Sequence, residues 1–369
     1  MATCSPTRAV GDRLLQIGSP VSTFVWPAGA TLAIPTDSEN KIGFVWKNRW
    51  ATPRPLHRLC NTRQWCRMKL LALATFAVSA YAQINYAKIE ILTEQYTPNL
   101  YMLAGAPGDA DPNHPDGAGG RIGILTGPDG IFMIDSQYEQ VTGKVLAAIR
   151  KISPQPIRFL ANTHLHVDHT GGNGNIVKQG ALLIAREELR RDMARAANMD
   201  PARLPAVTYG MGDPIKFRMN GEIIDLLPVR AAHTGGDTIV RFENADIIMI
   251  GDFYRNFGYP YIDTNNGGSL KGALEGLDYV MKIAGPNTKL IPGHGTIIKR
   301  EDIVPYRNMI TDIRSKVELL IKQGKTVQEV LAAKPTSAYD AKVPGGLNPA
   351  GNGTSADRFV RMLYSELKK

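Results

Sequence analysis

The most constraining feature of this sequence is a dense cluster of residues that commonly bind metals. Directly after the apolar run Ile157–Ala161, three histidines and one aspartate fall within six residues: His164, His166, Asp168 and His169. Neutral imidazoles and carboxylates are typical ligands of Zn²⁺. A lone histidine in a loop is usually an ordinary polar residue, but four such residues so close together predict a metal site.

The spacing within the cluster predicts how the side chains are shared between metals. If the apolar run is a strand, alternation sends His164 and His166 to the same side, where they can bind one cation. Asp168 and His169 then lie past the strand end, where two glycines at 171–172 allow a tight turn into a following helix. We expect this second pair to serve a second metal.

Three later apolar runs end in residues of the same type. The run 222–227 leads to His233, the run 246–251 ends at Asp252, and the run 289–293 ends at His294. Alone, Asp252 could be a helix N-cap, and either histidine could be a core residue. In layered α/β proteins, however, sites form where strand ends and loops converge. We therefore expect these residues to join the first cluster.

The rest of the pattern predicts an α/β fold. Apolar runs at 121–125 and 131–134 flank the turn Pro128-Asp129-Gly130, which predicts a hairpin. Helical spacing is found at 141–152, 186–198, 269–284, 303–323, 327–333 and 357–367, and the segment Met199–Pro214 reads as irregular.

The front of the chain predicts export. Residues 68–82 have a basic start, an apolar core and the small-residue site Ala80-Tyr81-Ala82, as in a secretory signal peptide. The segment is short for a bilayer span, although a membrane anchor or a buried helix are alternatives. We expect a periplasmic or secreted bacterial protein with no stable membrane span after cleavage.

Residues 1–67 differ in composition from the body. They contain all three cysteines and all four tryptophans of the chain, and they show no clear periodicity. Our hypothesis is that they are a non-native or disordered N-terminal extension and that translation begins at Met68. The functional domain is then 83–369, which has no cysteine and therefore no disulfide.

The net charge of +9 does not predict a nucleic-acid partner. Residues 1–82 carry ten Lys or Arg and three acids, so +7 lies there and only +2 lies in the body. A nearly neutral body has little electrostatic attraction for a polyanion. We expect a small-molecule substrate and no nucleic acid, and the sequence does not indicate an oligomeric state.

The ligand pattern resembles the metallo-β-lactamase-fold hydrolase superfamily. The matching residues are His164-x-His166-x-Asp168-His169, His233, Asp252, and His294 in Pro-Gly-His-Gly. The resemblance implies a four-layer αββα sandwich with two zinc ions. It assigns His164, His166 and His233 to the first zinc, and Asp168, His169 and His294 to the second. Asp252 would bridge both ions, and Asp135 would support the site from the end of an earlier strand.

The resemblance also implies a reaction. A metal-bound hydroxide would open an ester, thioester, lactone or β-lactam carbonyl, and Asp168 would orient it and manage its proton. Alternatives are a phosphodiesterase or nuclease of the same fold, or a non-catalytic metal-binding module. True metallo-β-lactamases usually have Cys or Ser where this chain has Asp252. Arg255 lies at a spacing where some of them hold a lysine, so it is a candidate for binding a substrate carboxylate.

Overall fold

Two mixed β-sheets stack in this computed structural model, which describes residues 84–106, 119–347 and 353–368. The hypotheses on residues 1–67 and on the signal peptide 68–82 lie outside these ranges. The first sheet has the strand order β1 to β7: β1 (Glu90–Gln95), β2 (Leu100–Ala106), β3 (Ile122–Leu125), β4 (Ile131–Ile134), β5 (Ile157–Ala161), β6 (Leu182–Arg186) and β7 (Val207–Tyr209). The second has the order β12-β11-β10-β9-β8: β8 (Ile215–Met219), β9 (Glu222–Pro228), β10 (Thr238–Phe242), β11 (Ile247–Gly251) and β12 (Lys289–Pro292).

Strand direction changes within each sheet. Strands β1 to β4 are antiparallel, and β4 to β7 are parallel. The second sheet is antiparallel except for the pair β11 and β12. The hairpin predicted at 121–134 is confirmed as the antiparallel pair of β3 and β4.

The helices lie between and after the strands. They are α1 (Thr142–Ile152), α2 (Val167–Thr170), α3 (Asn173–Val177), α4 (Glu187–Met193), α5 (Leu270–Ile283), α6 (Arg300–Lys322), α7 (Val327–Ala332) and α8 (Ser355–Leu367), with 3₁₀ turns at Glu139–Val141, Pro201–Arg203 and Thr264–Asn266. In the described part of the chain, no helix combines the length and the apolar character that a membrane crossing requires.

Alternation along buried strands builds the layers. In β4, Ile131 and Met133 pack against the α1 side, whereas Phe132 packs between the two sheets. In β11, Ile248 packs with the helices of the second layer and Met249 packs between the sheets. Because neighbouring side chains point to opposite faces, a strand that is buried on both faces must be apolar throughout. The predicted α/β fold with αββα layering is confirmed.

Two details of the sequence prediction are wrong. The segment Met199–Pro214 is not wholly irregular, because Val207–Tyr209 forms β7 and pairs in parallel with β6. Three residues are too few to show the apolar and polar alternation that predicts a strand. The helix predicted to reach residue 198 ends at Met193, and the chain then turns through Asn198 in the left-handed region (φ 60°).

A buried arginine connects the two sheets near the later loops. Arg186, at the end of β6, has only 1% of its surface exposed. Its Nη1 donates to the carbonyl oxygens of Val229 (2.9 Å) and Asp237 (3.2 Å), and its Nη2 pairs with Glu188 at 2.8 Å. The two carbonyls flank the β9–β10 loop. The guanidinium therefore fixes the loop of one sheet to a strand of the other.

We predict that Arg186→Met lowers the free energy of unfolding by about 3 kcal/mol, because the buried Val229 carbonyl loses its Arg186 donor and the Asp237 carbonyl keeps only the Val229 backbone N–H. Urea unfolding in EDTA measures this without a contribution from bound metal. The control Arg230→Met removes a side chain that is 71% exposed and should change stability by less than about 0.5 kcal/mol. Equal stability of the two variants would show that the Arg186 contacts contribute nothing.

Candidate metal centre

All seven residues predicted as ligands lie at one edge of the sandwich, where the loops after four strands meet. The β5–α2 loop and α2 carry His164, His166, Asp168 and His169; the β9–β10 loop carries His233; β11 is followed by Asp252 and β12 by His294. One strand comes from the first sheet and three come from the second. The site therefore depends on how the two sheets pack.

The side chains form two groups of three with a shared carboxylate between them. Ligand-type atoms lie within 4.8 Å of one another in the groups His164/His166/His233 and Asp168/His169/His294. The carboxylate of Asp252 lies 3.4 Å from the Nε2 atoms of His169 and His294. It lies 3.9 Å from the Nε2 atoms of His164 and His233. Asp252 thus faces two histidines of each group.

Hydrogen bonds on the far side of three rings fix which nitrogen faces the centre. His169 Nδ1–H donates to Asp135 Oδ2 at 2.8 Å, and His233 Nδ1–H donates to the Tyr261 carbonyl at 2.6 Å. In His166 the roles are reversed, because its Nε2–H donates to Asp263 Oδ2 at 2.9 Å. Such partners set the tautomer and orientation of metal-binding histidines. The remaining nitrogens are then lone-pair donors aimed inward.

Asp135 holds one histidine of each group. Besides His169, its Oδ2 accepts from Thr163 Oγ1 at 2.6 Å, and its Oδ1 accepts from the Thr163 backbone N–H at 2.8 Å. Thr163 Oγ1 in turn accepts from His164 Nδ1 at 3.1 Å. Asp135 is buried and adopts a left-handed backbone conformation (φ 58°). A strained residue of this kind persists where its surroundings hold it, and here four donors do so, the fourth being the Asn162 side-chain amide at 3.5 Å.

Asp263 and Tyr261 are site residues for which sequence reasoning found no role. They lie in a loop rather than at the end of a strand. Asp263 Oδ1 also accepts from the backbone N–H groups of Asn265 and Asn266, which is the usual pattern of a capping aspartate. The hydrogen bond between its second oxygen and His166 depends on the fold and could not be predicted from the local sequence.

Burial and charge act in opposite directions on the histidines of the site. Burial and the neighbouring imidazoles lower the pKa of His164, and burial lowers the pKa of His233 to about 4. Burial opposes protonation of His169, but the carboxylates of Asp252 and Asp168 outweigh it and raise that pKa well above its usual range. Nearby histidines hold the pKa of both carboxyls low despite their burial. His164 and His233 are thus held neutral, as metal binding needs, whereas the carboxylates favour a proton on His169 that a bound cation would replace.

The unsatisfied atoms of the site fit divalent cations. His164 Nε2 and Asp252 Oδ1 are buried and have no hydrogen-bond partner among the described residues. His166 Nδ1 lies only 2.9 Å from His233 Nε2, although the far-side hydrogen bonds leave both as acceptors. Buried polar atoms normally have partners. A cation within each group would supply them.

Glycines allow the backbone to approach the site closely. The reason predicted for the glycine at Gly171 is wrong. A Cβ at Gly120 would overlap the His169 ring, and a Cβ at Gly293 would overlap Asp252 Oδ1. The sequence predicts that Gly171 permits a tight turn, but its φ is −58°. Its Cβ would instead approach the Val167 carbonyl at 2.6 Å. Close packing against α2, rather than a special conformation, requires glycine there.

The expected alternation of His164 and His166 along a strand is also wrong. Strand β5 ends at Ala161, and both histidines lie in the loop that follows. Their rings still meet, with centroids 5.0 Å apart and planes at 83°. Hydrogen bonds to Asp135 hold Thr163 in place, and Thr163 in turn contacts the His164 ring, so the loop itself orients that ring.

Arg255 follows Asp252 by three residues, and its recorded hydrogen bonds go to other parts of the described chain than the seven candidate ligands. Its Nε donates to the Phe257 carbonyl at 3.3 Å, and its backbone N–H donates to Tyr306 Oη at 3.3 Å. Its positive charge contributes to lowering the pKa of His233. Binding of a substrate carboxylate by Arg255 stays a prediction.

Two curated proteins are similar to part of the chain. The linear primary-alkylsulfatase of Pseudomonas sp. (strain ATCC 19151) is 29% identical over 129 residues, covering 32% of this chain and 24% of that protein. The alpha subunit of 2,4-dinitroanisole O-demethylase of Nocardioides sp. (strain JS1661) is 22% identical over 134 residues, covering 36% and 40%. The chain thus matches less than half the length of either relative.

Comparisons of fold and family extend over more of the chain. The stereoselective inverting sec-alkylsulfatase Pisa1 from Pseudomonas sp. has a similar structure, with a TM-score of 0.53 and 16% identity, covering 74% of this chain and 50% of that chain. At this identity the likeness shows the fold alone. The family profile described as the metallo-beta-lactamase superfamily matches residues 116–320. Since that match spans more than half of the sequence, the chain belongs to the metallo-beta-lactamase superfamily.

Proposed function

We propose that this protein is a dinuclear zinc hydrolase that opens the carbonyl of an ester, thioester, lactone or β-lactam. One observation carries the proposal: the Asp252 carboxylate lies between two groups that each contain three ligand-type side chains. Two metal ions that share a carboxylate are typical of hydrolytic dinuclear centres. His164, His166 and His233 would hold one ion, and Asp168, His169 and His294 the other.

When bound, the zinc ions would supply Lewis-acid activation of water and of the carbonyl oxygen. The chain itself determines where a substrate enters. The side chains of His166, Asp168 and His294 are each 19% exposed, whereas Asp252 is 5% exposed and His169 is fully buried. Among the described residues, His166, Asp168 and His294 therefore form the open face of the centre, and we place the substrate there.

Asp168 lies on this open face and is suited to handle a proton. Its Oδ2 lies 2.9 Å from His294 Nε2, so the carboxylate is held in place. Burial opposes ionisation, but His169 and His294 keep the pKa of Asp168 low and the group a carboxylate. A carboxylate within reach of the attacking water can orient it and accept its proton.

A second candidate reaction is hydrolysis of an alkyl sulfate. The identity of 29% over 129 residues to a linear primary-alkylsulfatase favours it over the phosphodiesterase and nuclease alternatives. The ligand arrangement serves either reaction, because both need activated water and stabilised negative charge on oxygen. Substrate turnover separates them.

We predict about two zinc ions per chain, with turnover lost on chelation and restored by Zn²⁺. Elemental analysis of the purified protein gives the metal count. A panel of 4-nitrophenyl butyrate, a chromogenic cephalosporin, 4-nitrophenyl sulfate and bis-nitrophenyl phosphate identifies the reaction. Bound metal without turnover of any substrate would support a non-catalytic module instead.

We predict that His294→Ala removes about one zinc and reduces turnover by at least about a hundredfold, because the second group loses a ligand while His164, His166 and His233 keep theirs. Elemental analysis and steady-state kinetics measure the two effects. The control Lys271→Ala alters a side chain that is 78% exposed and should change neither. Loss of both ions in His294→Ala would contradict two separable sites.

We predict different effects for the two supporting aspartates. Asp135→Asn should weaken both zinc-binding steps by about 10- to 100-fold, because Asp135 orients one histidine of each group. Asp263→Asn should weaken only the step that uses His166. Competition with a chromophoric chelator resolves the two steps, and Asp278→Asn, on an exposed helix face, is the matched control. Identical profiles for the two variants would refute the assignment of Asp135 to both groups.

A further inference from the structure

Two residues directly before β3 contact the segments that carry the second group of candidate ligands. The backbone N–H of Gly120 donates to the carbonyl oxygen of Asp168 at 2.9 Å. Gly120 also lies so close to the His169 ring that a Cβ on it would overlap the ring. The next residue, Arg121, reaches across to the loop of His294, which follows a strand of the other sheet. One short stretch of chain therefore contacts the segments of Asp168, His169 and His294.

Arg121 holds the loop of His294 on both sides of that histidine. Its backbone N–H donates to the Gly293 carbonyl at 2.9 Å. Its Nη1 donates to the Pro292 carbonyl at 2.8 Å, and its Nη2 donates to the Gly295 carbonyl at 2.8 Å. The guanidinium is planar with fixed N–H directions, and a charged donor makes stronger hydrogen bonds than a neutral one. This one side chain thus fixes the backbone before and after His294.

The position of His294 at the open face explains why its backbone needs such a restraint. Its side chain is 19% exposed, so burial in the core does not hold the ring. Its Nε2 contacts Asp168 at 2.9 Å and His169 at 3.4 Å, but both are candidate ligands, and a bound cation would replace these contacts. The hydrogen bonds from Arg121 go to the backbone and do not depend on the cation. They can therefore hold the ligand in place before the cation binds.

The first group of ligands is oriented by other residues. Thr163 contacts His164, Asp263 accepts from His166, and the Tyr261 carbonyl accepts from His233. The recorded hydrogen bonds of Arg121 go instead to the segment 292–295. Loss of the Arg121 side chain should therefore disturb the second group and spare the first.

We propose that Arg121 is a positioning residue for the second metal ion and acts by fixing the loop of His294. The inference rests on the proposed function for the presence of two ions, and it adds that one arginine of the first sheet supports only one of them. Residues that orient a metal ligand typically change metal affinity by about 10- to 100-fold. A nearby positive charge, by contrast, repels an incoming cation. Removal of Arg121 should tighten zinc binding if its charge dominates and weaken it if positioning dominates.

Zinc titration of the metal-free full chain against a chromophoric chelator measures the two binding steps separately. We expect Arg121→Met to weaken the second step about tenfold and to leave the first step unchanged. Arg121→Lys keeps the charge, but its single Nζ cannot reproduce the two-pronged contact, so its second step should be intermediate. Arg218→Met, at an exposed position of β8, is the matched control and should bind both ions as the wild type does.

Hydrogen exchange of the metal-free protein tests the restraint on the loop without any metal. We expect backbone amides in the segment 293–296 to exchange faster in Arg121→Met than in the wild type. Amides of the segment 232–236, which carries His233, should exchange at the wild-type rate. Exchange followed by mass spectrometry of peptides gives both values, and circular dichroism confirms that each variant is folded. Unchanged exchange at 293–296 would show that Arg121 does not restrain the loop.

Two results of the zinc titration would overturn the proposal. One is a second step in Arg121→Met that is as tight as in the wild type or tighter. The other is equal weakening of both steps, which would indicate a general effect on the fold.

Turnover separates failure of this proposal from failure of the proposed function. A second zinc step that depends on Arg121, without hydrolysis of any substrate in the panel, would refute the hydrolase and leave the positioning role intact. Hydrolysis by the wild type and by Arg121→Met with identical zinc affinities would refute the positioning role and leave the hydrolase intact.

Discussion

The buried carboxylate of Asp252 is the constraint on which the rest of the structure depends. Its Oδ1 has no hydrogen-bond partner among the described residues, and four histidine nitrogens surround the group at 3.4 to 3.9 Å. An unpaired buried charge is costly, so the neighbouring histidines and a bound cation are what would stabilise a carboxylate at this position. Every strand that ends here must keep its register, because a shift by one residue would turn an inward side chain outward.

The two sheets meet this requirement through apolar packing and one polar connection. Phe132 of the first sheet packs edge-on against Phe217 of the second at 4.8 Å, within a core to which both sheets contribute. Such packing resists sliding because interiors are close-packed. Arg186 adds a directional constraint, because its guanidinium donates hydrogen bonds to the carbonyls on both sides of the loop that carries His233. Distances between ligands on different sheets thus follow from contacts remote from the site.

The sequence could predict that the candidate ligands converge but only part of what orients them. The candidate ligands follow apolar runs, and such runs predict buried strands, so the pattern alone places His233 and His294 with His164. Asp263 could not be found in this way, because its capping bonds to Asn265 and Asn266 explain an aspartate without a site. Strand β7 could not be predicted either, because three residues are too few to show the alternating pattern of a strand. Local pattern shows which residues are buried at strand ends, whereas orientation depends on contacts between distant segments.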